Sequence, residues 1–162
     1  MFEPKENTEI VEITEEIIVV GVSLQKSGLP ITFDSLGKMW DIFGISYRGK
    51  NKIVNALNTK LEYAVLLNKV PDYIAGHAVS KADEITEECS SVILPKGIYI
   101  KDTFNAESFE ALTEKILPKR NVKAWAKKSK IKIDGQFSVE VYPWEEFEKG
   151  NFEMYTLTPV KE

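Results

Sequence analysis

Cysteine and histidine are almost absent from this chain: among 162 residues there is one of each, Cys89 and His77. An internal disulfide is therefore impossible, and one residue of each kind does not supply a zinc site of nitrogen and sulfur ligands, or a Cys/His nucleophile pair, without unusual help. Cys89 reads as an unremarkable thiol and His77, in the strand-like YIAGHAVS, as a structural or surface residue. Glycine-rich phosphate loops of the GxGxxG and GxxxxGK[ST] types are missing, so the usual nucleotide sites are excluded. Long apolar runs are missing too. Ile17 to Leu24 spans only eight residues, against the ~20 that a membrane helix needs. The N-terminus carries six glutamates before Val19 and lacks the basic start and apolar stretch of a secretory signal, which makes the cytoplasm the expected location. A net charge of −4 gives no general attraction to nucleic acid or anionic lipid.

What the chain does have is 43% hydrophobic residues, enough for one globular domain over residues 1–162 that needs no metal or disulfide staple. Ile10 to Leu24, rich in Ile and Val, reads as one first strand. After the Gly28-Leu29-Pro30 break, Leu36, Met39, Trp40 and Phe43 recur at the spacing of a helical face. Thr32 or Asp34 would cap this helix and Gly44 would end it. The polar stretch Ile45 to Thr59 is a connection of the length that often lines a site. LEYAVLLN and YIAGHAVS follow as a hairpin around Lys69-Val70-Pro71-Asp72.

The second half repeats the order. ILPKGIYIKDTF is a strand, and Phe109, Leu112 and Ile116 mark a helix entered through Asn105 and Glu107 and stopped by Pro118. A short helix with Trp125 comes next, and FSVEVYPW and FEMYTLTPV form a closing hairpin. The expected fold is α+β: two β-α-β-β units, about residues 9–81 and 91–161, in which Val19 answers Tyr99 and Tyr73 answers Tyr155. One helix and about three strands cannot enclose a core, so the halves should join their antiparallel sheets about a pseudo-twofold axis. The groove along that axis is the natural ligand site.

Strand parity in FSVEVYPW puts Ser138, Glu140 and Tyr142 on one face and Phe137, Val139 and Val141 on the other. The apolar set is assigned to helix packing, which turns Glu140 toward the groove or solvent. Tyr63, Tyr99, Tyr142 and Tyr155 lie on strands that would flank the groove, and Trp40 and Trp125 could close its ends. A carboxylate ringed by aromatics suits an organic cation through one ion pair and several cation–π contacts of ~0.5–2 kcal/mol each. Such tyrosines and tryptophans are equally ordinary core residues, and Trp40 shares the apolar stripe of its helix. From Lys119 to Lys132, seven basic residues fall within fourteen. This segment reads as a solvated face that the acidic N-terminus could neutralise, or as a surface for an acidic protein.

The helix core LGKMWDIF, the strands LEYAVLL, YIAGHAV and LPKGIYIKDTFNA, Trp125, FSVEVYP and FEMYTLTPV resemble, in order and spacing, the GyrI-like effector-binding domain of AraC-type and MerR-type multidrug regulators. The resemblance extends from about Glu9 to Lys161 and is nearest to stand-alone members, including integron-cassette effector-binding proteins. It implies the duplicated fold and a buried glutamate, here Glu140, that meets cationic, lipophilic, aromatic ligands. It also implies aromatic walls at Tyr63 and Tyr155, with Trp40 and Tyr142 beside them. The segment LPKRNVKAWAKKSKIKIDG departs from the family's shorter turn. No helix-turn-helix precedes the domain, so promoter control would need a partner.

Three functions follow as expectations. The first is a non-enzymatic module, a monomer or homodimer without cofactor or metal, that senses or sequesters a cationic or amphipathic aromatic compound. The second is a hydrolase of cyclopropane-bearing genotoxic compounds, with Glu140 as general base and Tyr63 or Tyr155 holding the substrate carbonyl. The third is a protein-interaction module that meets a regulator or gyrase through the basic segment.

Overall fold

The computed structural model describes residues 2–161. The strands are β1 (Glu6–Ile13), β2 (Ile17–Ser23), β3 (Leu61–Leu67), β4 (Asp72–Val79), β5 (Cys89–Leu94), β6 (Gly97–Ala106), β7 (Phe137–Pro143) and β8 (Phe152–Pro159). The helices are α1 (Leu24–Ser27), α2 (Phe33–Ser46), α3 (Phe109–Ala111), α4 (Val122–Lys128) and α5 (Trp144–Glu148). A π-helical turn, Leu112–Ile116, and a 3-10 turn, Leu117–Lys119, extend α3. All eight strands form one sheet in the order β1-β6-β8-β7-β3-β4-β2-β5, antiparallel at every junction. The order is symmetric about the β7–β3 junction. The units β2-α-β3-β4 and β6-α-β7-β8 are thus the two repeats, and each carries on its outer edge the strand that precedes the other unit's first strand.

The first strand expected from Ile10 to Leu24 is in fact two, because Thr14-Glu15-Glu16 interrupts it. β1 pairs with β6 and β2 with β4 and β5, near opposite ends of the sheet. Ile13 and Ile17 are four residues apart, a reach of at most about 14 Å, whereas six interstrand spacings across a flat sheet would be about 29 Å. The sheet must therefore curl. ILPKGIYIKDTF likewise divides at Pro95-Lys96 into the ends of β5 and β6.

Curling overturns one packing expectation. Val139 and Val141 do not meet a helix; with Val19, Tyr63, Val65, Ile74, Leu94, Tyr99 and Leu157 they form a core made only of strand residues, the inner face of the sheet closing on itself. The helices cover the other face, where Met39 and Phe43 of α2 and Leu112 after α3 join Val22, Ala75, Phe104 and Tyr142. α2 runs through Gly44 and stops at Tyr47, and Thr32, at its N-cap, makes no capping bond. The second helix is entered through Ser108, whose Oγ accepts from Ala111 N at 3.0 Å, rather than through Asn105. Arg120 is drawn from the basic segment onto the buried Asp102: it donates to both oxygens of that carboxylate at 2.9 and 2.6 Å and pairs with the exposed Glu6 at 2.9 Å. The acidic N-terminal strand thus neutralises part of that segment.

Candidate ligand-binding site

The three central strands turn alternate residues to the helix side of the sheet, and part of that face floors the space between α2 and α3. On β7 these are Ser138, Glu140 and Tyr142, and on β3 they are Glu62, Ala64 and Leu66. Ala64 is aligned with Glu140 on one side and with Ala75 on the other. The two alanines leave room above the sheet, and Tyr73, two residues before Ala75 on β4, reaches across that room. Its hydroxyl donates to Glu140 Oε1 at 3.0 Å. Tyr142 donates to the same oxygen at 2.7 Å, and Trp40 Nε1 donates to the Tyr73 hydroxyl at 2.9 Å. The second carboxylate oxygen, Oε2, has no protein donor among the described residues, and no lysine, arginine or histidine there pairs with Glu140.

These groups floor a cavity of about 440 Å³, within the size range of small-molecule sites. Leu36 and Trp40 of α2 form one wall; Phe109, Leu117, Tyr142 and Trp144 close the other side. Trp40 meets Tyr142 edge to face at 5.2 Å, and Phe109 lies 5.7 Å from Trp144. The cavity carries four carboxylates, Asp41, Glu62, Glu114 and Glu140, against one guanidinium, Arg48. Burial holds the Glu140 carboxyl above the ordinary glutamate range, while the Tyr142 and Tyr73 hydroxyls pull it back toward ionisation. Burial and the adjacent Glu140 charge push both phenols well above their usual value, so they remain donors.

Glu62 is the other carboxylate of the floor, 1% exposed, and it is neutralised within the protein. Arg48 Nε and Nη2 donate to its two oxygens at 2.8 and 2.7 Å, and the guanidinium lies over the Trp144 ring at 4.5 Å. The contrast matters because an unpaired buried charge is costly. One acid is supplied with a cation and the other is left open to the cavity.

Of the residues singled out from sequence, the structure brings Glu140, Trp40 and Tyr142 together. Tyr63, Tyr99 and Tyr155 are not there, because pairing puts them on the inner face: Val141, not Glu140, is aligned with Tyr63 on β3 and Tyr155 on β8. Tyr99 is 1% exposed and donates to Pro95 O at 2.6 Å, while the Tyr155 ring already holds Lys101 Nζ at 4.4 Å. Neither Tyr63 nor Tyr155 can hold a substrate carbonyl above Glu140, as the hydrolase expectation required. Trp125 sits on α4, outside the cavity lining. Tyr73, Glu62, Arg48 and Trp144 were missed. Counting back from the Lys69–Asp72 turn puts Asn68, and by parity Glu62, on the face of Tyr73, which the observed pairing of Leu66 with Tyr73 preserves, so that part was recoverable. His77 is buried, with Nδ1 3.0 Å from Leu61 O, and Cys89 is a buried free thiol of β5.

No curated protein matches the sequence significantly. Among solved structures, the integron cassette protein VCH_CASS2 from the mobile metagenome of Vibrio cholerae aligns over 99% of this chain and 100% of its own at 15% identity, with a TM-score of 0.59. The C-terminal domain of EcmrR aligns over 97% and 98% at 14% identity and a TM-score of 0.66. SAV2435, in its tetraphenylphosphonium-bound structure, aligns over 96% and 94% at 11% identity and a TM-score of 0.65. These likenesses establish a shared fold. The sequence profile of the integron-associated effector binding proteins (Cass2) matches residues 9–156, nearly the whole chain, and the protein belongs to that family.

Proposed function

We propose that this effector-binding protein takes up a lipophilic, aromatic cation in the cavity between α2 and α3, with Glu140 as counter-ion. The carrying observation is the open Oε2 of Glu140: a carboxylate at the floor of an aromatic cavity, braced by two tyrosine hydroxyls on its other oxygen and lacking a protein cation. A ligand cation would supply the missing charge, and Trp40, Tyr142 and Phe109 would supply apolar and cation–π contact. Tetraphenylphosphonium, the ligand of SAV2435, belongs to this chemical class.

Titration of tryptophan fluorescence tests the reading, since Trp40 and Trp144 both line the cavity. Tetraphenylphosphonium should bind saturably, and Glu140→Gln should weaken it by about 2 kcal/mol, roughly thirtyfold. Triphenylphosphine oxide, neutral and similar in shape, should lose little. Equal losses for both compounds would discard the counter-ion role. The raised carboxyl of Glu140 is also a property of a general base, which keeps a hydrolytic reading in view with Tyr73 or Tyr142 as the neighbouring donor. Mass analysis of a cyclopropane-bearing alkylator after incubation separates the two: a receptor returns the compound unchanged, whereas a hydrolase adds water to it in a Glu140-dependent manner.

A further inference from the structure

The cavity above Glu140 has a neighbour. A second trough of about 320 Å³ lies on the same sheet face beyond the start of α2, and Phe33, Leu36 and Tyr73 belong to the walls of both. Three apolar side chains stand unusually open there: Phe33 is 82% exposed, Ile31 57% and Leu66 40%. A cluster of this kind on a small protein marks a binding surface more often than chance exposure.

We infer that this trough is the tail subsite of the same ligand site, so that the protein's ligands are elongated amphipathic cations: a charged head at Glu140 and a hydrocarbon or aryl tail laid past Phe33 over Ile31 and Leu66. The inference rests on the reading of Glu140 as counter-ion. Continuity through the three shared residues is one argument. The polarity of the trough is the other, because its polar side chains are already occupied. Asp72 accepts from Ser23 Oγ at 2.7 Å and from the backbone of Gln25 at 3.0 Å and Tyr73 at 2.8 Å. Thr32 Oγ1 is 3.2 Å from Ser35 Oγ, and Asn68 Nδ2 donates to Gly135 O at 2.8 Å. The trough therefore offers chiefly apolar contact area, its carboxylate being already satisfied within the protein, which suits an apolar chain and complements the open carboxylate next door.

The test is a series of n-alkyltrimethylammonium salts from butyl to decyl, held below their micelle concentrations and titrated into wild type, Ile31→Asn/Leu66→Asn and Glu140→Gln. In wild type, affinity should rise with tail length by up to about fourfold per methylene buried. In the double variant, the short members should bind as in wild type while the long ones lose the gain. Ile31→Asn alone, outside any helix or strand, serves the same purpose should the double variant fold poorly. Identical slopes in wild type and variant, with the head still dependent on Glu140, would overturn the tail subsite alone. An intact slope that ignores Glu140→Gln would overturn the counter-ion reading alone. Sedimentation of the same samples adds an arm: self-association of wild type that the double variant abolishes would assign the trough to a second copy and overturn the proposal.

Discussion

Glu140 sets two demands against each other. Without ligand its charge is penalised by burial and only partly relieved by two hydroxyls, so its carboxyl stays above the ordinary glutamate range. A carboxyl raised in the folded state contributes stability that is present below the ordinary value and lost as pH rises through the raised one. The unliganded Glu140→Gln variant should therefore melt above wild type at pH near 8 and converge with it toward about pH 4, where the wild-type acid is protonated as well. Melting curves across that range check this, and a variant melting below wild type at pH 8 would show that the ionised acid is net stabilising. Cation binding should follow the opposite course, strengthening as pH rises through the same value. At this scale strand parity put Glu140 and Tyr142 on one face, and it was the family resemblance that singled out Glu140 there. Sequence reasoning misplaced Tyr63 and Tyr155 because their face relative to Glu140 depends on the register of β3 and β8 against β7, and no local pattern encodes register between distant strands.

At the scale of elements, the strand-only inner core depends on the sheet curling on itself. A close approach marks the β2–β4 ladder, where Gly21 is aligned with Gly76. A Cβ on Gly76 would come within 2.0 Å of Val20 O, and one on Gly21 within 2.3 Å of Ala75 O. Neither contact can be relieved by a side-chain rotation, since the opposing atoms are backbone. Gly76→Ala should force β2 and β4 apart and cost about 3 kcal/mol or more, measured as a lower urea midpoint; a variant as stable as wild type would mean that the two strands can separate here at little cost. The hairpin β3–β4 and helix α2 were legible in sequence, because turn residues and a 3.6-residue apolar period announce them. The curl was not. It follows from the short Thr14-Glu16 link, whose consequence appears only once β1 and β2 are known to occupy distant places in the sheet; the close approach of Gly21 and Gly76, fifty-five residues apart in sequence, was equally out of reach.

The whole molecule is made of two units that share one sheet and one cavity, and the repeat itself was readable in the order of strands and helices. The first unit supplies Trp40 and Tyr73 and the second supplies Glu140 and Tyr142, so the hydrogen-bonded chain from Trp40 to Glu140 crosses the pseudo-twofold junction. Edge strands are exchanged as well: β1 lies along β6 of the second unit, and β5, at the start of the second half, lies along β2 of the first. A chain cut in the exposed loop between β4 and β5 would leave each fragment with an unpaired central strand, half of the inner core and half of the cavity. Either fragment alone should be largely unfolded or aggregated, because open strand edges and unburied apolar faces recruit other chains. Mixed or co-expressed, the fragments should recover the sheet, since nothing in the pairing requires the connection to be covalent. Circular dichroism and tetraphenylphosphonium titration of each fragment and of the mixture provide the check. Recovery of both signals only in the mixture would show that fold and site are joint properties of the two units, whereas binding by the isolated second fragment would mean that Glu140 and Tyr142 suffice without Tyr73 and Trp40.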